Sequence, residues 1–273
     1  MVAKKKQEVV DADLMADFAS DAGEGLEDVS HQDLLIPFVS ILQKLSPQVN
    51  KRKAEYIEGA EPGMILETAS RTLYDGEEKG IIVVPIKYQR RYTEFRPRDQ
   101  GGGLVNDYGD DATILDRCTQ GERGGYTTPE GNDLIVSGNF YCFIMGKDGS
   151  YRRAVISMSG SQLKKSRRWN TLLMQERAEG PKGDVFVPPA YYRTYHLTTV
   201  PEENDQGDWF GWNIEKAGTL PEAYPNNAGL IRQEAKLFKK DVSTQKALPA
   251  QDPTAQIEGP PKTDKRLDDD IPF

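Results

Sequence analysis

From residue 80 to residue 216 apolar positions fall in short runs or alternate with polar ones, the period of β-strands. Residues 80–95 open as an apolar run and continue with polar and aromatic residues in alternation. Residues 134–145 form the strongest apolar run. After the turn Lys147-Asp148-Gly149-Ser150 the chain returns as residues 151–158, which predicts a hairpin. Short strands are predicted at 63–68 and 112–117. Two more are predicted at 185–200, interrupted at Pro188-Pro189, and at 208–216. Apolar spacing of three and four predicts a helix over 33–45, with Pro37 in or near its first turn and Ser46-Pro47 as its stop. A second helix is predicted from a cap at Ser159 or Ser161 to about Ala178, ended by Gly180-Pro181. A third is predicted towards the end of 221–240.

Apart from the short 112–117 segment, the order from residue 80 is strand, strand, strand, helix, strand, strand. A five-stranded Greek-key barrel of the OB type also carries its helix between the third and fourth strands. The expected fold class is therefore mainly β with helices (α+β): an OB-like five-stranded barrel with an N-terminal helix, loop insertions and disordered termini. The competing architectures are another small α+β barrel or a sandwich with a helical insertion. Glycines at 101–103, 121, 124 and 125 make residues 97–133 a long mobile excursion, the kind of loop that carries function.

Composition changes the picture at the ends. The 273 residues carry a net charge of −8, with 37% hydrophobic residues, and the mean hydropathy is −0.65. Residues 1–35 hold nine acids against three bases and residues 249–273 six against three, which leaves the middle at +1. An acidic overall charge thus says nothing against an anionic ligand, because binding follows the local field of a patch. The ends also lack the apolar content to offset ordering entropy. The chain divides into an acidic, disordered segment at 1–30, a core at 31–242, and a linker and tip at 243–273. Membrane spans and a secretory leader are not expected. Cys118 and Cys142 exclude a disulfide scaffold, and two Cys with two His at wide spacing argue against structural zinc.

No P-loop, HExxH or GxSxG pattern is present, and His31 and His196 read as ordinary exposed or packed residues, so an enzyme is not expected. No cofactor is expected either. The stronger signal is the interleaving of cations and rings. Lys87, Tyr88, Arg90, Arg91, Tyr92, Phe95, Arg96 and Arg98 follow one another. Phe140, Tyr141 and Phe143 lie on the next long strand, Arg152 and Arg153 on its partner, and Tyr191, Tyr192, Arg193 and Tyr195 on the fourth. Single-stranded nucleic acid needs cations along its phosphates and flat rings for its unstacked bases. The assigned DNA-binding set is Lys87, Tyr88, Arg90, Arg91, Tyr92, Arg96, Phe140, Tyr141, Arg152 and Arg153. For each ring, core packing is an equal alternative, because alternation sends half of them inward. Lys164, Lys165, Arg167 and Arg168 read as a solvated helix face, with Trp169, Leu172 and Leu173 packed on the barrel. Lys51-Arg52-Lys53 is a loop cluster open to either reading. Trp209 should face opposite to Phe210.

The chain ends Asp268-Asp269-Asp270-Ile271-Pro272-Phe273. This resembles the acidic tip of bacterial single-stranded-DNA-binding proteins, a disordered linker closing on the same six residues. Ile271 and Phe273 are apolar anchors, Pro272 limits the entropy lost on docking, and the carboxylates suit a basic-rimmed pocket. Residues 41–47 and 56–63 are similar to phage replication-associated proteins. Together these resemblances imply a phage-type, non-enzymatic, sequence-tolerant single-stranded-DNA-binding protein of replication, recombination or repair, acting in the bacterial host cytoplasm. Its tip would recruit replication or repair proteins. The alternatives are a strand-annealing recombinase-type protein, and an adaptor or decoy for proteins that recognise such tips. The oligomeric state is left open.

Overall fold

The computed structural model describes residues 14–29, 35–121, 124–204 and 207–244. Two compact units are present, residues 1–34 and 35–273. In the first, residues 14–20 form a helix (α1), on which Leu14, Met15 and Phe18 are exposed.

The second unit is built on two long strands. β4 (Ile81–Phe95) pairs with β8 (Asp133–Met145) over most of its length, and β8 pairs with β9 (Tyr151–Ser159). At its N-terminal end β4 also pairs with β12 (Arg193–Asn204), which runs against β13 (Gly207–Thr219). Beyond β9 come β1 (Phe38–Ile41), β2 (Ile65–Glu67) and β3 (Thr72–Tyr74). β1 lies parallel to β9, and the other pairings are antiparallel. With β5 (Leu104–Asp107), β6 (Thr119–Gln120) and β7 (Tyr126–Thr127), the sheet has eleven strands among the described residues. β10 (Ala178–Glu179) and β11 (Val185–Phe186) make a separate hairpin.

The expected five-stranded OB-like barrel is thus corrected to a large mixed sheet curled into a half-barrel. The order strand, strand, strand, helix, strand, strand is present as β4, β8, β9, α2 (Leu163–Met174), β12 and β13. That order does not limit how many strands join the sheet, and β1 to β3 extend it past β9. The curl brings the end of β1 to β13, where side chains span the gap in place of a strand ladder. Gln43 donates to the Phe210 carbonyl and accepts its N–H, each at 2.9 Å. Gln162 accepts the N–H of Trp212 at 3.0 Å. Two side-chain amides thereby occupy an edge that would otherwise be open to another strand. At the same seam, Gly76 lies so close to Thr199 and the Gly63 carbonyl that a Cβ would clash, and its own carbonyl accepts the Thr199 N–H at 2.8 Å.

Both faces of the sheet are buried. The inner face collects Val39, Ile41, Val83, Phe140, Ile156, Trp212 and their neighbours, with Trp169 of α2 at its centre. The outer face is covered by α4 (Ala228–Ser243), whose Ile231, Ala235, Phe238 and Val242 follow helical spacing. The short α3 (Leu220–Ala223) precedes it, held by a capping box between Thr219 and Glu222.

Several local expectations are also corrected. Within the apolar run predicted as a helix at 33–45, residues 38–41 are β1, all four of them buried, and the other described residues are a bridge, coil and turn. Residues 112–117 form a 3₁₀ helix capped by Asp111. α2 starts at Leu163 without a side-chain cap from Ser159 or Ser161. It ends at Met174, where the Arg177 guanidinium donates to the carbonyls of Met174 and Glu176 at 2.8 Å each. Trp209 does face opposite to Phe210 and Trp212: its indole donates to Glu202 at 2.8 Å, while Phe210 packs against the inner cluster.

Candidate nucleic-acid interface

One irregularity decides where the cation-rich part of β4 points. The register of β4 on β8 shifts between Pro85 and Lys87. A bulge there exchanges the two faces. Before it, Ile81 and Val83 face inward and Val84 and Ile86 outward. After it, Tyr88 packs on the inner cluster. Tyr88, Arg90 and Tyr92 therefore follow one another on the inner side, and Lys87, Gln89 and Arg91 on the outer side.

The outer set is occupied by local partners. Lys87 donates to Ser243 of α4 at 3.0 Å, and burial lowers its pKa against the opposing pull of Asp110. Gln89 donates to Asp110 at 3.2 Å, and Arg91 pairs with Asp107. Arg153 pairs with Asp241 at 3.3 Å and lies over the Phe238 ring at 4.9 Å. Arg152, on the inner side of β9 with Ala154 and Ile156, bonds to the Tyr74 hydroxyl and lies 3.7 Å from the buried Glu67 carboxylate. Three of the rings assigned to bases are core residues instead. Tyr92 is 3% exposed, and Phe140 and Tyr141 are each 1% exposed. Phe140 stacks on Trp169 with centroids 4.1 Å apart, and Tyr141 meets Phe238 edge-on. Tyr195, the fourth-strand ring, is fully buried, and Arg193 is committed to Glu176. The expected basic-aromatic set does not form one surface.

Arg90 behaves differently. It is exposed, and the phenols of Tyr88 and Tyr92 flank it. Partial burial opposes its charge, but hydrogen bonds to these two phenols outweigh that and raise its pKa. Directly across the ladder from Arg90 is Gly138. A Cβ there would meet the Ser166 hydroxyl and the Tyr88 ring, so the missing side chain is what lets α2 settle at this point. Arg90 consequently emerges beside α2. Leu163, Ser166, Trp169, Asn170 and Leu173 of α2 turn to the sheet, while Lys164, Arg167, Arg168, Thr171 and Met174 are exposed. Lys165, at the flank, pairs with Glu202. No acid pairs with Arg90, Lys164, Arg167 or Arg168 among the described residues. Arg96 lies exposed just beyond the end of β4. The candidate interface is the outward stripe of α2 together with Arg90.

The far ends of β4 and β8 carry an arm where a mobile excursion was expected. Apart from residues 122 and 123, which lie outside the described set, segment 97–133 is structured by β5, β6, β7 and two 3₁₀ helices. Tyr92, Ile114 and Leu134 form its small core. Glu94, 3% exposed, is its polar hub. It accepts from the Tyr108 hydroxyl at 2.7 Å, Asn132 at 2.7 Å and Thr128 at 3.0 Å, at the base of a cleft of about 340 Å³. Burial pushes its carboxyl upward, but these bonds and Arg117 outweigh it and leave the pKa below the ordinary value. A lowered folded-state pKa contributes stability above the unfolded value, about 4.3, which is lost as pH falls through the folded value. Hydrogen exchange should therefore show the arm amides losing protection below about pH 4.3 before those of β8 and β9 do. Glu94→Gln should remove that pH dependence. Equal acid sensitivity of the variant would refute the assignment.

A family model described as Pam3 phage gp34-like protein matches residues 4–248. The chain belongs to this family. No curated protein and no solved structure matches. The matched span of the gp34-like chain includes every strand and helix described above and stops short of the acidic tip at 268–273, which lies outside the described residues. No helix among the described residues is long and apolar enough to cross a membrane. The cations of α2 were visible in the sequence. Their separation from the buried Trp169 on a single helix turn was the signal that they form an outward face.

Proposed function

We propose that this phage-family protein binds single-stranded DNA without sequence preference and without catalysis, and recruits replication or repair proteins through its C-terminal tip. The observation that carries the reading is the cation stripe of α2 with Arg90 beside it, set on the sheet, with no acid paired to Arg90, Lys164, Arg167 or Arg168 among the described residues. Such a face suits a phosphate chain, whose negative charges repeat along its length. The groups assembled there are guanidinium, ammonium and phenol, which bind and orient rather than attack. Titration of a dye-labelled poly-dT oligonucleotide and of a duplex across salt concentrations tests it. Tighter binding of the single strand, falling steeply with salt, is expected. Equal affinity for both, or no salt dependence, would overturn the reading.

The tip completes the proposal. Deleting Asp268 to Phe273 should leave affinity for single strands unchanged, or raise it at low salt, where screening of a tethered acidic segment is least. The same deletion should abolish association with proteins that recognise such tips. Deleting Phe273 alone should remove most of it, since the ring and the terminal carboxylate are lost from their place together. Undiminished recovery of host replication proteins by the Phe273-deleted chain would show that the tip is not the recruiting element.

A further inference from the structure

Burial of Tyr92, Phe140 and Tyr141 leaves a site with cations for phosphates and few open faces for bases. The exposed apolar surface nearest in the chain to the α2 stripe is the β10–β11 hairpin. Val185 is 69% exposed, Phe186 42% and Val187 48%, and Met174, in the last turn of α2, is 69% exposed. Soluble surfaces rarely hold three consecutive large apolar residues without a use for them. The outward positions Lys164, Arg167, Arg168, Thr171 and Met174 are spaced by three, one, three and three residues. They form one stripe along the helix, about 15 Å long at 1.5 Å per residue. The stripe leads from the Arg90 side towards the root of the hairpin.

That root is held firmly. Glu176, between α2 and β10, is buried and accepts from Arg193 at 2.7 Å and Lys216 at 2.5 Å, which ties it to β12 and β13. Arg193 first, then Lys216, hold its carboxyl below the ordinary value. Arg177 closes the helix end, and the Gly180 N–H bonds to the Asp184 carbonyl at 2.7 Å across the hairpin turn. An apolar strand is thereby presented on a fixed support at the end of a row of uncompensated cations.

We propose that this hairpin is the base-contacting part of the site, with an unstacked base on the Phe186 ring and the phosphates on Lys164, Arg167 and Arg168. The inference rests on the single-stranded-DNA reading and adds the residue that receives a base. The occupant follows from charge: a ligand following the stripe must offer anions at its cations and flat apolar groups at its end, as a single strand does and a duplex, with its bases enclosed, does not.

The test compares the full-length wild type with Phe186→Ala and Phe186→Trp, using poly-dT. Loss of one stacked base should weaken binding roughly 5- to 150-fold with the salt slope unchanged, because no phosphate contact is removed. Phe186→Trp should bind as the wild type does, and its emission should quench on adding DNA. Unaltered circular dichroism of the exposed-site variants establishes that the fold is kept. If the wild type binds DNA and Phe186→Ala binds it equally, the hairpin assignment fails while the function stands. If the wild type does not bind, the functional reading itself fails. A fall in salt slope with Phe186→Ala would also overturn the proposal, since the ring would then be acting through the cations.

Discussion

Trp169→Ala should destabilise the β-rich unit by roughly 3–5 kcal/mol, the range for removing a large aromatic side chain from a core. Trp169 is fully buried at the centre of the inner cluster, stacked on Phe140 at 4.1 Å and edge-on to Tyr195 at 5.5 Å. It is also the main anchor of α2, so the loss acts on the fold and on the stripe that α2 presents. Trp169→Phe should cost distinctly less. Phenylalanine keeps the stacking partner, and it removes an indole N–H that is buried without a hydrogen-bond partner. Urea denaturation followed by circular dichroism gives both values. A cost below about 1 kcal/mol for Trp169→Ala would mean that α2 is not docked through this ring.

The largest effect on binding should come from replacing Arg90, Lys164, Arg167 and Arg168 together by alanine. Each phosphate contact to a single strand contributes about 0.7 to the slope of log affinity against log salt, so losing four should lower it by about 3. At low salt, where these contacts matter most, affinity for poly-dT should fall by orders of magnitude. The corresponding quadruple variant of Lys87, Arg91, Arg152 and Arg153 should change the slope little, because those cations are already occupied by Ser243, Asp107, Glu67 and Asp241. Its stability should fall instead. A larger slope change from this second variant would move the interface away from α2.

The contrast between these two sets shows where alternation misleads. Residues 87–96 look like one basic-aromatic strand, with residue types suited to nucleic acid. A period of two assigns faces only while the register holds. The bulge after Pro85 reverses the assignment, and only the partner strand β8 reveals it. The same limit applies to residues 38–41. Their spacing satisfies a helix, but burial by β9 and β2 on either side makes them a strand. The order of the 97–133 arm is not legible in the sequence because its strands are two to four residues long and its hub, Glu94, collects partners 14 to 38 positions away.

Local chemistry alone determined the long strands at 81–95 and 133–145, the hairpin into 151–159, the two-sided character of α2 with Trp169 inward, and the acidic-apolar tip. These follow from neighbours along the chain: apolar runs, turn residues, helical spacing and charge. Only the tertiary structure decided that the sheet takes eleven strands, that Gln43 and Gln162 span its seam, and that Arg90 rises beside α2 over Gly138. Those depend on pairings between residues far apart in sequence. Their register is set by the joint burial of both sheet faces, which no local pattern encodes.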